Sequence, residues 1–71
     1  MLKYTIVIEK ADGNYSAYCP DLPGCIATGA SVEETTERMK AAIGFHIEGL
    51  KAEGMDIPPP TTAAAPVEVA L

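Results

Sequence analysis

Tryptophan is absent from this chain, and phenylalanine and histidine occur once each. Long apolar runs are missing too. The N-terminal stretch MLKYTIVIEK offers only five or six apolar-rich positions before Glu9, too few for a signal-peptide core or a membrane span. The expectation is a cytoplasmic protein that engages no membrane. Cysteine is scarce: Cys19 and Cys25 have no Cys or His companions at zinc spacing, and His46 stands alone. No metal site and no cofactor are expected, and both cysteines read as reduced, partly buried small apolar residues. Basic residues are few, with 5 Lys and Arg against 10 Asp and Glu and a net charge of −5. Phosphate contacts need a basic footprint, so this balance argues against direct DNA or RNA binding. It suits a basic protein partner, and simple solubility equally well.

What is present is enough for one small domain over residues 1–71, with an apolar fraction of 48% that excludes a disordered chain. A chain of this size buries only roughly 60% of its unfolded surface, so a partner or a second copy is a natural supplement to its core.

Leu2, Tyr4, Ile6 and Ile8 alternate with Lys3, Thr5, Val7 and Glu9, which predicts a half-buried strand over about 2–10. An Asp-Gly pair in ADGN follows, a strong hairpin signal. A second strand is expected over 14–19, with Tyr15, Ala17 and Cys19 on one face. Pro20 and Pro23 lack the N–H that a ladder needs, so PDLPG reads as a rigid connection to a short third strand over 25–28.

Gly29 permits a tight entry into a helix expected over about 32–53. Ser31 is the N-cap, with Glu34 three residues later as the capping-box partner. Glu33, Glu34 and Glu37 crowd the positive end of the helix dipole, a structural reason for acid there. Val32, Thr36, Met39, Ile43, Ile47 and Leu50 form the expected apolar stripe, and Gly54 the C-terminal cap. Gly44 and Gly49 each cost roughly 1 kcal/mol against Ala inside a helix, which close packing against another backbone would explain. Phe45 lies ~200° around the helix from Ile43. It reads either as an oligomer contact or as a singly exposed aromatic.

Pro58 to Pro66 is too proline-rich for a helix and reads as an extended connection to a fourth strand over 66–70, where Val67, Val69 and Leu71 alternate with Glu68 and Ala70. The predicted class is α+β, in the order β-β-β-α-β. A right-handed crossover would set the last strand parallel to the first, giving a four-stranded mixed sheet of order 3-2-1-4 with one helix on one face. The other face would stay open unless a partner covered it.

No catalytic constellation emerges. Asp12 and Asp21 fall at different places on the sheet, and the remaining acids line the helix. A Cys-His nucleophile would need His46 beside Cys19 or Cys25, and no third orienting group is evident. GCIATGAS lacks the Lys-Ser/Thr ending of a phosphate loop. The chain is not expected to be an enzyme.

The N-terminal hairpin, PDLPGC, TGASVEET and a helix of this length together resemble the HicB family, the antitoxins of bacterial and archaeal HicA–HicB toxin–antitoxin systems. The signature of that family is an acidic residue, an apolar residue, Pro and Gly, then a Gly-x-Ser/Thr helix entry ending in Glu-Ala. Asp21, Leu22, Pro23, Gly24 and Cys25 match its first part, and Gly29, Ser31 and Glu34 its second, while Thr35 replaces the Ala. The resemblance covers nearly the whole chain. It implies a partial ribonuclease H-like fold without nuclease carboxylates and assembly into homodimers or tetramers. It also implies a partner: a small basic HicA-type toxin that cleaves messenger RNA, inhibited by occlusion. Many members add a C-terminal operator-binding domain. This sequence stops at Leu71, so a short stand-alone member without direct DNA binding is expected. The expected contact surface is Tyr18, Asp21, Leu22, Pro23, Gly24 and Cys25 of the loop with Glu33, Glu34 and Glu37 of the helix. Turn geometry and helix capping account for the same residues without a partner. The alternative is an orphan, non-catalytic oligomeric module.

Overall fold

Asp12 and Gly13 turn the first hairpin, Gly13 supplying the positive φ of 76° that the bend needs. The computed structural model describes residues 2–71. The hairpin joins β1 (Val7–Ala11) to β2 (Asn14–Tyr18), and β3 (Ile26–Gly29) precedes the single helix α1 (Val32–Ala52). The sheet is antiparallel throughout, in the order β1-β2-β3. Its register aligns Ile8, Ala17 and Ala27 on the helix side, and Val7, Tyr18 and Ile26 on the other.

β1 starts later than the alternation from Leu2 predicts. Val7 pairs with Tyr18, so Ile6 lies opposite Cys19 and Thr5 opposite Pro20, where β2 has already bent into a turn. The alternating pattern runs on after its partner strand ends. Tyr4 and Ile6 still pack against the core without a ladder.

α1 is capped at both ends. The Ser31 hydroxyl accepts the Glu34 N–H at 3.1 Å, and Glu34 Oε1 reaches back past the cap residue to the Ala30 N–H at 2.8 Å. At the far end Gly54, at φ 66°, donates to Lys51 O, and Met55 donates to Leu50 O. Those two bonds are a Schellman motif, with Leu50 and Met55 as its apolar pair.

The buried stripe departs from the expected one at its start, while Met39 is buried and Ile43, Ile47 and Leu50 are half-buried as expected. Thr35 and Met39 are fully buried, whereas Val32 and Thr36 are exposed. The cause lies at Gly29, whose φ is not positive. A Cβ there would stand 2.6 Å from Thr35 Oγ1 and 2.9 Å from Thr35 N. The glycine serves close approach of β3 to the helix, not a turn, and that contact turns Thr35 inward. The Thr35 hydroxyl is satisfied by Ser31 O at 2.7 Å. Ala17, Cys19, Leu22, Cys25 and Met39 form the core, backed by half-buried Tyr4, Ile6, Ile8, Ala27, Ala42 and Ile43.

The fourth strand over 66–70 does not form, and the sheet is three-stranded rather than the mixed 3-2-1-4 sheet expected. Residues 58–62 do return to the N-terminal segment. Tyr4 Oη donates to Pro58 O at 2.5 Å and Thr5 Oγ1 to Thr62 O at 3.0 Å. Three consecutive prolines, Pro58 to Pro60, have no N–H to offer a ladder, so side chains hold this segment instead. Beyond it Val67 and Val69 are exposed. The accessible surface is 5512 Å², against about 4,200 Å² for a compact monomer of this mass. The radius of gyration is 13.8 Å, against about 11 Å for a compact domain. The excess belongs to a projecting tail and uncovered faces.

Candidate functional site

The connection from Tyr18 to Cys25 is two successive tight turns. Leu22 N donates to Cys19 O and Cys25 N to Leu22 O, each at 3.1 Å, and Cys19 N donates to Cys25 O at 3.2 Å, closing the loop. Pro20 and Pro23 each hold the second turn position, where their fixed φ fits, and Gly24 follows at φ 83°, the type II arrangement. Leu22, between the two turns, is fully buried. The loop is thus pinned from beneath by its own apolar residue.

The expected contact residues divide sharply. Leu22 and Cys25 point into the core, while Pro23 and Gly24 are exposed and Tyr18 is 43% exposed on the open sheet face. Asp21 is already engaged within the chain. Its carboxylate accepts from Thr61 N and Thr62 N, both at 3.1 Å, from Thr61 Oγ1 at 3.0 Å and from Thr62 Oγ1 at 2.9 Å. The Thr62 N–H above all, with the two threonine hydroxyls and the Thr61 N–H, outweighs partial desolvation and holds its pKa below the ordinary 3.8.

Glu33, Glu34 and Glu37 are exposed at the start of α1. Glu34 is shared between the cap and an ion pair with Arg38 at 3.5 Å. Arg38 in turn donates to Thr28 O at 3.0 Å. Glu33 and Glu37 carry no ion pair among the described residues. These acids sit at the Gly29 end of β3, and the Pro loop at its Cys25 end, about 10–14 Å apart at the rise of a strand. The structure does not bring loop and acids into one patch.

What it places beside the loop is the second half of α1. Gly24, Cys25 and Ile26 share a groove of about 580 Å³ with Ala42, Phe45, His46 and Leu50. Phe45 is 83% and Ile26 70% exposed, and nothing lies within 4 Å of the position a Cβ would take at Gly44 or Gly49. The glycines therefore have no packing role within the chain. This apolar surface was only partly legible, through Phe45, because Ile26 reads from sequence as an ordinary strand residue. Cys25 and His46 line the same groove, but burial, reinforced by neighbouring Cys19, pushes the Cys25 thiol upward from its ordinary value. That is the reverse of an activated nucleophile. Among the described residues no cluster of His, Cys, Asp and Glu could hold a metal ion, and no helix is long and apolar enough to cross a membrane.

The family described as "HicB_like antitoxin of bacterial toxin-antitoxin system" matches residues 4–69. A UPF0150 protein of Synechocystis is 37% identical over 67 residues, covering 93% of this chain and 85% of that protein. An uncharacterized 14.9 kDa protein of Haemophilus phage HP1 is 40% identical over 55 residues, which span 78% of this chain but 41% of the phage protein. Among solved structures, a chain of a HicA3 and HicB3 toxin-antitoxin complex superimposes with a TM-score of 0.71 at 33% identity, covering 83% of this chain and 70% of that one.

Proposed function

The chain belongs to the HicB-like antitoxin family, and from that premise we propose that it binds and neutralises a small basic HicA-type ribonuclease by occluding it. The observation that carries this reading is the likeness, over most of both chains, to a component of a toxin–antitoxin complex. Its chemistry is binding rather than turnover, and its place of action is the cytoplasm, where messenger RNA is cut. The net charge of −5 supplies a field complementary to a basic partner.

The contact surface in this reading has two parts. Glu33 and Glu37 offer unpaired acid at the helix start, with Glu34 adding charge from within the cap. Tyr18, Asp21, Pro23 and Gly24 offer a rigid loop whose conformational entropy is already spent, while Leu22 and Cys25 hold it from inside. The Glu33→Lys/Glu37→Lys variant tests the acidic half. It should weaken toxin binding by about 10-fold or more and flatten its salt dependence while the circular dichroism spectrum stays the same. Unchanged affinity would remove this end of the helix from the interface.

A second reading is supported by the exposed Ile26, Phe45 and Met55. In it the chain is an orphan oligomeric module whose apolar surface meets only other copies of itself, in dimers or tetramers. The two readings separate on whether a HicA-type protein binds at all.

A further inference from the structure

Cys19 and Cys25 flank the Pro loop, and the proposed function uses neither thiol. Both are free, and they are only 2% and 4% exposed. The β2–β3 register sets them opposite each other. Ala17 pairs with Ala27 and Tyr18 with Ile26, so the next positions in line are Cys19 and Cys25. The Cys19 N–H donates to Cys25 O at 3.2 Å, which carries the pairing one step beyond the strands. Cys19 lies two residues after Ala17 and Cys25 two before Ala27, so both side chains fall on the helix side of the sheet. They meet there in one core cluster with Leu22 and Met39.

This arrangement suits a bridge. Hydrogen-bonded partners in an antiparallel pair stand about 5.5 Å apart at Cα, inside the span of about 4.4–6.8 Å that a disulfide requires. Their Cβ atoms are about 4.5–5.5 Å apart, against about 3.5–4.5 Å in a disulfide. Closing the bond draws the two positions together by about 1 Å. The backbone can give here, because the Cys25 N–H has left the ladder for Leu22 O. A bond closed under tension is more readily reduced than a relaxed one. The two sulfurs also sense each other, since Cys19 contributes to raising the Cys25 thiol.

We propose that Cys19 and Cys25 are a reversible thiol–disulfide pair, bridged by exchange with a low-molecular-weight disulfide such as glutathione disulfide. Cys25 lines the groove beside Phe45 and His46, so it is the sulfur that a small disulfide reaches first. Its thiolate attacks one glutathione sulfur and expels the other glutathione as a thiolate. The Cys19 thiolate then attacks the Cys25 sulfur and expels the second glutathione. Two protein thiols are oxidised, one glutathione disulfide is reduced to two thiols, and the two protons pass to the departing glutathiones. The bridge ties β2 to β3 beneath Pro20 and Pro23 and removes the Cys25 thiol from the groove. Neither step involves a toxin, so the pair stands or falls apart from toxin binding.

The test is the intact mass of the full chain, equilibrated without denaturant in excess glutathione disulfide, because burial makes the exchange slow. The product should lack two hydrogens, carry no glutathione and keep the circular dichroism spectrum of the reduced chain. Dithiothreitol should restore the original mass. In Cys19→Ala the second attack is impossible, and the product should retain one glutathione. A wild type that stays a dithiol, that ends with glutathione attached and no bridge, or that bridges only in denaturant would overturn the proposal. A Cys19→Ala chain that stays unmodified would overturn Cys25 as the first sulfur attacked.

Discussion

Asp21 occupies the third position of the first loop turn and also clamps the returning chain, taking four hydrogen bonds from Thr61 and Thr62. Because its folded pKa is depressed below 3.8, the clamp is complete above that value and fades as pH falls through the lower folded value. Asp21→Ala should release residues 61–62 at neutral pH, with amide exchange there faster by about 10-fold or more while β2 and β3 keep their protection. Unchanged exchange would show that the prolines alone hold the tail. Cys25 gives a second residue-scale expectation. Burial raises its thiol pKa, so alkylation in the native protein should run at least about 10-fold slower than in denaturant. The DLPG turn is plain from its residue types, and so is the reduced state of the cysteines. The role of Asp21 is not, because its partners lie 40 and 41 positions away and leave no periodic trace.

At the scale of elements, local rules carried far. The Ser31 N-cap, the Gly54 terminus, the hairpin and the helix span all follow from short-range spacing and are present, while Glu34 closes its half of the expected capping box on the Ala30 N–H instead of the Ser31 N–H. What escaped were features set by neighbours. The inward turn of Thr35 depends on Gly29 meeting it, and residues 67–71 keep a strand-like alternation with no strand beside them to pair with. Gly29→Ala should therefore cost about 1–3 kcal/mol through overpacking, measured by denaturant titration. Adding Thr35→Ala should not rescue it fully, since the Thr35 backbone N would still lie 2.9 Å from the new Cβ. Gly49→Ala should behave oppositely. The site is open and helical, so the isolated fold should gain about 0.5–1 kcal/mol. A loss of stability there would mean that Gly49 has a packing role in the free chain.

The whole molecule has more surface than its mass requires, and its exposed groups are of two kinds. One end of α1 is acid; the groove beside the Pro loop is apolar, and an unpaired strand-like tail projects from the body. Net charge alone could not separate these regions, because it sums over the chain. The fold assigns them to opposite ends of β3. In the function proposed above, the chain silences a ribonuclease by covering it. The most direct measurement is messenger-RNA cleavage by a purified HicA-type toxin from the same genome while this chain is titrated in. Cleavage should fall to nothing at a fixed stoichiometry, and Glu33→Lys/Glu37→Lys should demand more chain for the same effect. Cleavage that continues undiminished in an excess of folded chain would contradict the account.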